Sequence, residues 1–389
     1  FASLFHTHPM LDLVFSTQDG EPIQTLQKGR SIDFREHDAT HLNDDELKEL
    51  LVEHAHKPFD LQTGPVCRLE LFRTAKGAHV TQIAMHHIVS DAWSIVIILN
   101  HLMETYFSLK AGRKPDLQIP DHRYSDYVRW QQEMLKSQVG ESLGKYWEKY
   151  LEDAPMTLDL PTDHPRPPVQ TFNGSTFGFK LDSDLTQDVL SLAENKKVTL
   201  YTTLLSAFKI LIHRYCDQEE ILVGSPLHGR INQEFHDLVG YFVNPVALRS
   251  KIGDNPSFSD YLERTNQSVI GALENQNYPF PLLVDRLKLK RDPSRSPIFQ
   301  VSFSMERIPG FDEQGIAVFL IGQGGHKFKA ENMDIESIDL NLRMAQFEIT
   351  LVVEEAGGNI YGCWQYNSNL FEEDTINRLN GFYKQLLKE

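Results

Sequence analysis

Met85-His86-His87-Ile88-Val89-Ser90-Asp91-Ala92-Trp93-Ser94 is the stretch on which the reading of this chain turns. An apolar, β-prone run at 80–85 precedes it. After it, Ile95, Ile98, Leu99, Leu102 and Tyr106 recur at helical spacing and predict a helix over 94–109 with those residues on its buried face. Adjacent strand residues point to opposite faces, so His86 and His87 divide between a core and a cleft. Asp91 falls at the predicted helix start, where a carboxylate accepts free backbone N–H groups and interacts favourably with the helix dipole. Three chemistries fit. One histidine is a satisfied core residue and Asp91 is only a cap. Or the pair ligates a metal, although HxxxD supplies two ligands and no third lies nearby. Or a histidine acts as general base or proton relay with Asp91 as its support. Spacing disfavours the metal and leaves the other two open.

Composition narrows the field. The 389 residues carry 38 Lys and Arg against 54 Asp and Glu, a formal charge of −16, which disfavours a general nucleic-acid binder. The longest apolar run, 316–321, is far shorter than the ~20 residues of a membrane-spanning helix, and no signal peptide is expected at the start. Cys67, Cys216 and Cys363 are far apart and form no CxxC, so neither a disulfide framework nor a cysteine zinc site is expected. The expected location is the cytoplasm. No metal and no bound cofactor is expected.

Residues 153–174 hold five prolines (Pro155, Pro161, Pro165, Pro167 and Pro168), which fix φ and remove amide donors. They read as an extended linker between an N-terminal lobe, 1–152, and a C-terminal lobe, 175–389. Before the linker, 44–56, 124–137 and 143–152 read as helices, and 66–73 and 79–87 as strands. After it, 182–195, 199–215, 257–274 and 372–388 read as helices, and 220–224, 297–305, 347–354 and 360–366 as strands. Strands and helices mix without strict βαβ alternation, which favours two α/β sandwich lobes. The glycine-rich stretch 310–334 reads as a bridge between lobes or a hairpin.

The histidine segment resembles the HHxxxDG motif of condensation domains of nonribosomal peptide synthetases, and six further stretches resemble that family's pattern in order. Pro58-Phe59-Asp60-Leu61 with Gly64-Pro65 and Arg68 resembles PFDLxxGPLxR. Tyr124-Ser125-Asp126-Tyr127-Val128-Arg129-Trp130-Gln131 resembles YxDYAxWQ. Val223-Gly224-Ser225-Pro226-Leu227-His228-Gly229-Arg230 resembles VGSPxAGR, and 239–249 resembles IGxFVNTLxLR. Residues 275–284 resemble QDYPFxxLV, and 291–300 resemble RDxSRNPLFQ. Tyr366-Asn367-Ser368-Asn369-Leu370-Phe371 resembles the closing YNTDLF.

The resemblance implies an α/β fold of two chloramphenicol-acetyltransferase-like lobes in a V-shaped pseudo-dimer with a central tunnel. It implies an acyltransferase that joins a carrier-bound acyl or peptidyl thioester to a carrier-bound aminoacyl amine. The partners implied are donor and acceptor carrier proteins, with substrates on phosphopantetheine arms, and neighbouring synthetase domains; no nucleic acid and no membrane is implied. His87 is the expected catalytic residue. Asp91, Arg230 and His86 are expected to support the site, with Arg249 the second choice as partner of Asp91. Ala92, Trp93 and Ser94 form the motif loop, and Asn244 and Tyr241 are tunnel-lining candidates. Three departures stand out. Ala92 replaces the motif glycine, Pro245 replaces a threonine, and 7–15 occupies the place of the opening RHExLRTxF, so the first lobe is expected to be trimmed or degenerate at its start. Alternatives are an epimerisation domain, another acyltransferase of the superfamily, or a non-catalytic recruitment domain.

Overall fold

The structure, a computed structural model, describes residues 2–27, 33–75, 77–305, 325, 327–331, 333–340 and 343–389. They divide into two compact units, the first made of 1–132 with 228–243 and the second of 133–227 with 244–389.

The first unit begins with helix α1 (Ala2–Thr7) and a hairpin of β1 (Leu13–Gln18) and β2 (Glu21–Leu26). A three-stranded sheet follows, in the order β3 (Phe34–Ala39), β4 (Cys67–Thr74), β5 (His79–Met85); β3 runs parallel to β4, and β4 antiparallel to β5. Helix α2 (Asp44–Ala55) connects β3 to β4 and starts at a capping box: Asn43 accepts from the amides of Asp45 and Glu46, and Glu46 accepts from the amide of Asn43. A single 3₁₀ turn (His87–Val89) links β5 to helix α3 (Ala92–Lys110). The unit's apolar core gathers Leu4, Met10, Leu11, Val66, Leu69, Val89, Ile98 and Val239. The buried face of α3 differs from the expected stripe. Ser94, Val96, Ile98, Thr105 and Ser108 are buried, while Tyr106 is 47 % exposed. Nearly every position early in α3 is apolar, so spacing gave too little contrast to choose its buried side.

Helix α4 (Tyr124–Lys136) crosses the division between Gln132 and Glu133. The second unit then lays out α5 (Gln138–Tyr150), β6 (Gly174–Lys180), α6 (Ser183–Lys196), α7 (Leu200–Cys216), β7 (Glu220–Leu227), β8 (Asn244–Lys251), α8 (Phe258–Glu274), α9 (Phe280–Leu287), β9 (Val301–Met305), β10 (Lys327–Ala330), β11 (Met333–Glu336), β12 (Ile349–Ala356), β13 (Asn359–Asn367) and α10 (Glu373–Lys388). Six strands form one mixed sheet in the order β6-β13-β12-β9-β7-β8, parallel at the β12–β9 and β9–β7 pairs and antiparallel elsewhere. Val301, Ser302, Phe303 and Ser304 in the central strand β9 are all buried, as expected for a strand covered on both faces. Trp147, Phe208, Phe303, Trp364 and Tyr383 anchor the core around this sheet. β10 and β11 form a separate hairpin, and the apolar run 316–321 lies outside the described residues. Among the described residues, no helix is long and apolar enough to cross a membrane.

The proline-rich stretch 153–174 is largely extended, as its composition predicts, but it runs inside the second unit. Leu158 and Leu160 are buried, the Leu158 amide donates to Gln300 Oε1 at 2.6 Å, and Arg295 Nη1 donates to the Leu158 carbonyl at 2.8 Å. The compact units therefore do not follow the expected boundary. Helix α5 precedes the prolines yet buries Leu143 and Trp147 in the second core, with Trp147 Nε1 donating to the Asn275 carbonyl. Periodicity shows that a helix has a buried face, not which core receives it.

Helix α7 is buried on nearly every side and carries Lys209, whose ammonium is fully buried without a hydrogen-bond partner. Burial lowers its pKa to about 7, because the charged form loses hydration without compensation. An unfolded lysine titrates near ~10.4, so between about pH 7 and pH 10 the unfolded chain binds more protons than the folded one, and stability rises with pH. Lys209→Met is expected to stabilise the fold by a few kcal/mol at pH 7, with the gain shrinking towards pH 10. Urea unfolding of both proteins at pH 7 and pH 10 checks this; an equal or negative difference at the two pH values contradicts it.

Candidate functional site

The site is built at the start of α3. Asp91 is the N-cap residue, and its Oδ1 accepts from the Ser94 amide at 2.8 Å and lies 2.7 Å from the Ser94 hydroxyl. Its Oδ2 accepts from Arg230 Nη1 at 2.5 Å and from the Phe242 amide at 3.2 Å. Both charged side chains are 1 % exposed. Arg230 Nη2 donates to Ser94 Oγ at 3.0 Å and to the Leu238 carbonyl at 2.9 Å, and the guanidinium lies 4.0 Å above the Phe242 ring centroid. Arg249, the second choice as partner, instead pairs with Glu220 in the second unit. The carboxylate of Asp91 is thus committed on both oxygens.

Residues 228–243 return to the first unit through this network. Gly229 has φ +66°, and a Cβ there would collide with the Phe242 carbonyl oxygen, so only glycine fits. A Cβ on Gly240 would run into the Tyr124 ring. The Ser94 hydroxyl accepts from the Gly240 amide at 3.0 Å and lies 2.9 Å from the Gly240 carbonyl. Phe235, Leu238 and Phe242 pack with Tyr127, while the Tyr124 hydroxyl donates to the Tyr241 carbonyl at 2.5 Å. Tyr124 does more than pack. Its hydroxyl also fixes the backbone of Tyr241, a contact to a residue 117 positions away that no local signal reveals.

The strand expected to run to His87 ends at Met85, so turn geometry rather than strand alternation separates the two histidines. His86 is half-buried rather than a core residue. Its Nδ1 accepts from the Ile88 amide at 3.1 Å, its ring meets Phe59 edge-on, and burial followed by the neighbouring His87 lowers its pKa. His87 is exposed, with its ring edge-on to Tyr241 at 5.1 Å between centroids. His87 Nδ1 lies 2.5 Å from the Ser90 carbonyl oxygen. A carbonyl only accepts, so Nδ1 carries the hydrogen, and the neutral ring presents its lone pair on Nε2.

The remaining motif residues fall into place around this turn. Ala92 is the first residue of α3, with helical backbone, and the motif glycine's freedom is not used there. Trp93 Nε1 donates to the His236 carbonyl at 3.0 Å, and its ring meets His228 and His236 edge-on. Tyr241 is 38 % exposed, and burial of its hydroxyl, with Asp91 near, raises its pKa. Asn244 belongs to the second unit. Its Nδ2 donates to the carbonyls of Gln276 and Tyr278, and its Oδ1 accepts from the Phe280 amide, so its side chain pins the turn before α9. Pro245 faces Pro226 across the β7–β8 pair, so two missing amides share one rung. His8, in the expected opening motif, is buried with Nε2 2.8 Å from His101 Nδ1, and burial followed by His101 lowers its pKa to about 3.

A family model described as condensation domain matches residues 1–389. Gramicidin S synthase 2 of Brevibacillus brevis is 33 % identical over 388 residues, covering 100 % of this chain and 8 % of that protein. Malpinin synthetase of Mortierella alpina is 31 % identical over 388 residues, covering 99 % of this chain and 5 % of that protein. The chain thus spans less than a tenth of the length of either relative. Among solved structures, the holo four-domain nonribosomal peptide synthetase AB3403, bound to AMP and glycine, superposes with a TM-score of 0.89 at 24 % identity, covering 100 % of this chain and 29 % of that one. The X-domain from teicoplanin biosynthesis gives 0.85 at 20 % identity, covering 99 % of this chain and 85 % of that one. The epimerization domain from the third module of tyrocidine synthetase B gives 0.78 at 19 % identity, covering 100 % and 86 %. These superpositions show the expected mixed α/β, two-lobed fold, which domains of different names share. With the family model matched from the first residue to the last, the chain belongs to the condensation domain family of nonribosomal peptide synthetases.

Proposed function

We propose that this domain forms an amide bond between two carrier-bound substrates. The acceptor's α-amine attacks the carbonyl carbon of the donor's acyl thioester. The C–N bond forms, the C–S bond breaks, and the amine's surplus proton leaves with the donor thiol. The observation that carries this reading is the hydrogen bond from His87 Nδ1 to the Ser90 carbonyl, which leaves Nε2 of an exposed imidazole as a proton acceptor.

The chemistry asks little more of the protein. A free α-amine titrates near ~7.7–8.0, so a useful fraction is already neutral at pH 7. Holding amine and thioester together supplies up to ~7–11 kcal/mol, and proton handling by a histidine adds ~10²–10⁴-fold. Asp91 serves as structure, because its oxygens are occupied by Arg230, Ser94 and the Phe242 amide and cannot also take the amine's proton. Ala92 holds an ordinary helical position, so the turn keeps its geometry without the motif glycine. Recruitment without catalysis is the second reading, favoured by the fold shared with the X-domain, of which a complex with OxyB has been solved.

His87→Ala is expected to fold with an unchanged Tm and to lose ~10²–10⁴-fold in single-turnover amide formation between a donor acyl-carrier and an acceptor aminoacyl-carrier. A folded variant that condenses at the wild-type rate sinks the assignment. In the same assay, inverted configuration without a new amide means epimerisation, and carrier binding without product means recruitment.

Asp91→Ala strands a buried guanidinium, so it is expected to cost ~3–5 kcal/mol and to lower Tm together with activity. Arg230→Met is expected to do the same, and the double variant to lose less than the sum of the singles. Thermal melts of the three variants check this. Unchanged melting with lost activity would contradict a structural role.

A further inference from the structure

We infer that the first unit carries a transition-metal site of zinc type, formed by His37 Nε2, His54 Nδ1 and the carboxylate of Glu70. It is independent of the proposed condensation chemistry and departs from the sequence expectation of no metal. Among the described residues, this is the cluster of three His, Cys, Asp or Glu side chains whose donor atoms converge, all within 4.8 Å of one another.

Three elements bring the donors together. Glu70 and Phe72 share one face of the central strand β4. His37 on β3 is the register partner of Phe72, and Gln82 on β5 is the register partner of Glu70. The last turn of α2 lays His54 over this face. Arg68, two residues before Glu70, holds that turn: its Nη2 donates to the carbonyls of His54 and Lys57, at 3.2 and 2.6 Å, and its guanidinium lies 4.1 Å from the Phe59 centroid. Phe72 stacks on the His37 ring at 4.6 Å and meets His54 edge-on at 5.7 Å, which fixes both imidazoles.

The donors stand at hydrogen-bond distance and have to move apart by a few tenths of an ångström to hold a single ion. Glu70 Oε1 lies 2.7 Å from His54 Nδ1 and 3.1 Å from His37 Nε2. Donors about 2.0–2.1 Å from a tetrahedral zinc stand about 3.3 Å apart. Two imidazoles and a carboxylate are a known three-ligand zinc set with a fourth position open to water. The His37 side chain is 26 % exposed and opens the cluster to solvent, while Glu70 is 2 % exposed.

A purely hydrogen-bonded cluster leaves two acceptors unexplained. Glu70 Oε2 is buried without a partner. So is Gln82 Oε1, directly across the β4–β5 pair, although Gln82 Nε2 is satisfied by the Leu51 carbonyl at 2.8 Å. A cation with its bound water would answer both of these neighbouring buried acceptors. Zinc uptake moves each neutral ring's hydrogen to its far nitrogen, Nδ1 of His37 and Nε2 of His54, and needs no other reagent.

The test uses tag-free chain dialysed against zinc ion, followed by metal analysis, thermal melting and the visible spectrum of the cobalt(II) form. The expected result is one zinc per chain, a tetrahedral cobalt spectrum, and a rise in Tm of about 3 °C at a hundredfold excess over Kd. Magnesium and calcium give no such rise. Glu70→Gln and His37→Gln each lose more than the ~10–100-fold in affinity that removal of an outer partner costs. His37 is half-exposed, so its variant stays folded even where the Glu70 variant does not. Substoichiometric zinc, a flat Tm, or one zinc retained by His37→Gln at another pair such as His8 and His101 each overturns the site.

Discussion

The buried Asp91–Arg230 ion pair is the constraint on which the first unit's proposed chemistry depends. Two charges at 1 % exposure are stable only because nearly every polar valence is answered: the carboxylate meets Ser94, Arg230 and the Phe242 amide, and the guanidinium meets Asp91, Ser94 and the Leu238 carbonyl. This network couples the start of α3 to residues 228–243, which lie far from it in sequence. It thereby fixes where the turn between β5 and α3 can run, and that turn sets the tautomer of His87. A single buried pair links the order of the fold to the chemical state of one exposed imidazole.

The same network explains how the proposed labour is divided. A carboxylate with both oxygens occupied suits a frame, and an imidazole with one nitrogen held and the other open suits the proposed proton acceptor. The fold does not distinguish the reactions, since a condensation, an epimerization and an X-domain each superpose on this chain.

Other buried polar groups are handled differently. Arg68 satisfies the end of α2 through backbone carbonyls and stacks on Phe59. Glu70 and Gln82 each keep a bare buried oxygen, and Lys209 keeps a bare ammonium in the second unit. Such groups cost stability unless a ligand, a proton shift or water answers them. The contrast between a closed network at Asp91 and an open one at Glu70 marks the first as scaffold and the second as a place that can receive an ion.

The sequence by itself determined the family, the mixed α/β class, most helices and strands, and the identity of the histidine turn. These are local signals: apolar period, a cap such as Asp91, prolines that forbid regular structure, and motif order. It also indicated Arg230 as a partner for Asp91, through resemblance rather than spacing. Tertiary structure alone decided which core receives α5, that 153–174 is packed within one unit, that Ser94 rather than Tyr106 lies on the buried side of α3, and that Asn244 pins a turn. It alone brought His37, His54 and Glu70 together, at separations that match no motif. The physical reason is the same in each case. Periodicity and capping depend on residues within a few turns of one another. Burial, ion pairing and ligand convergence depend on partners the chain brings close only after its units have closed around their cores.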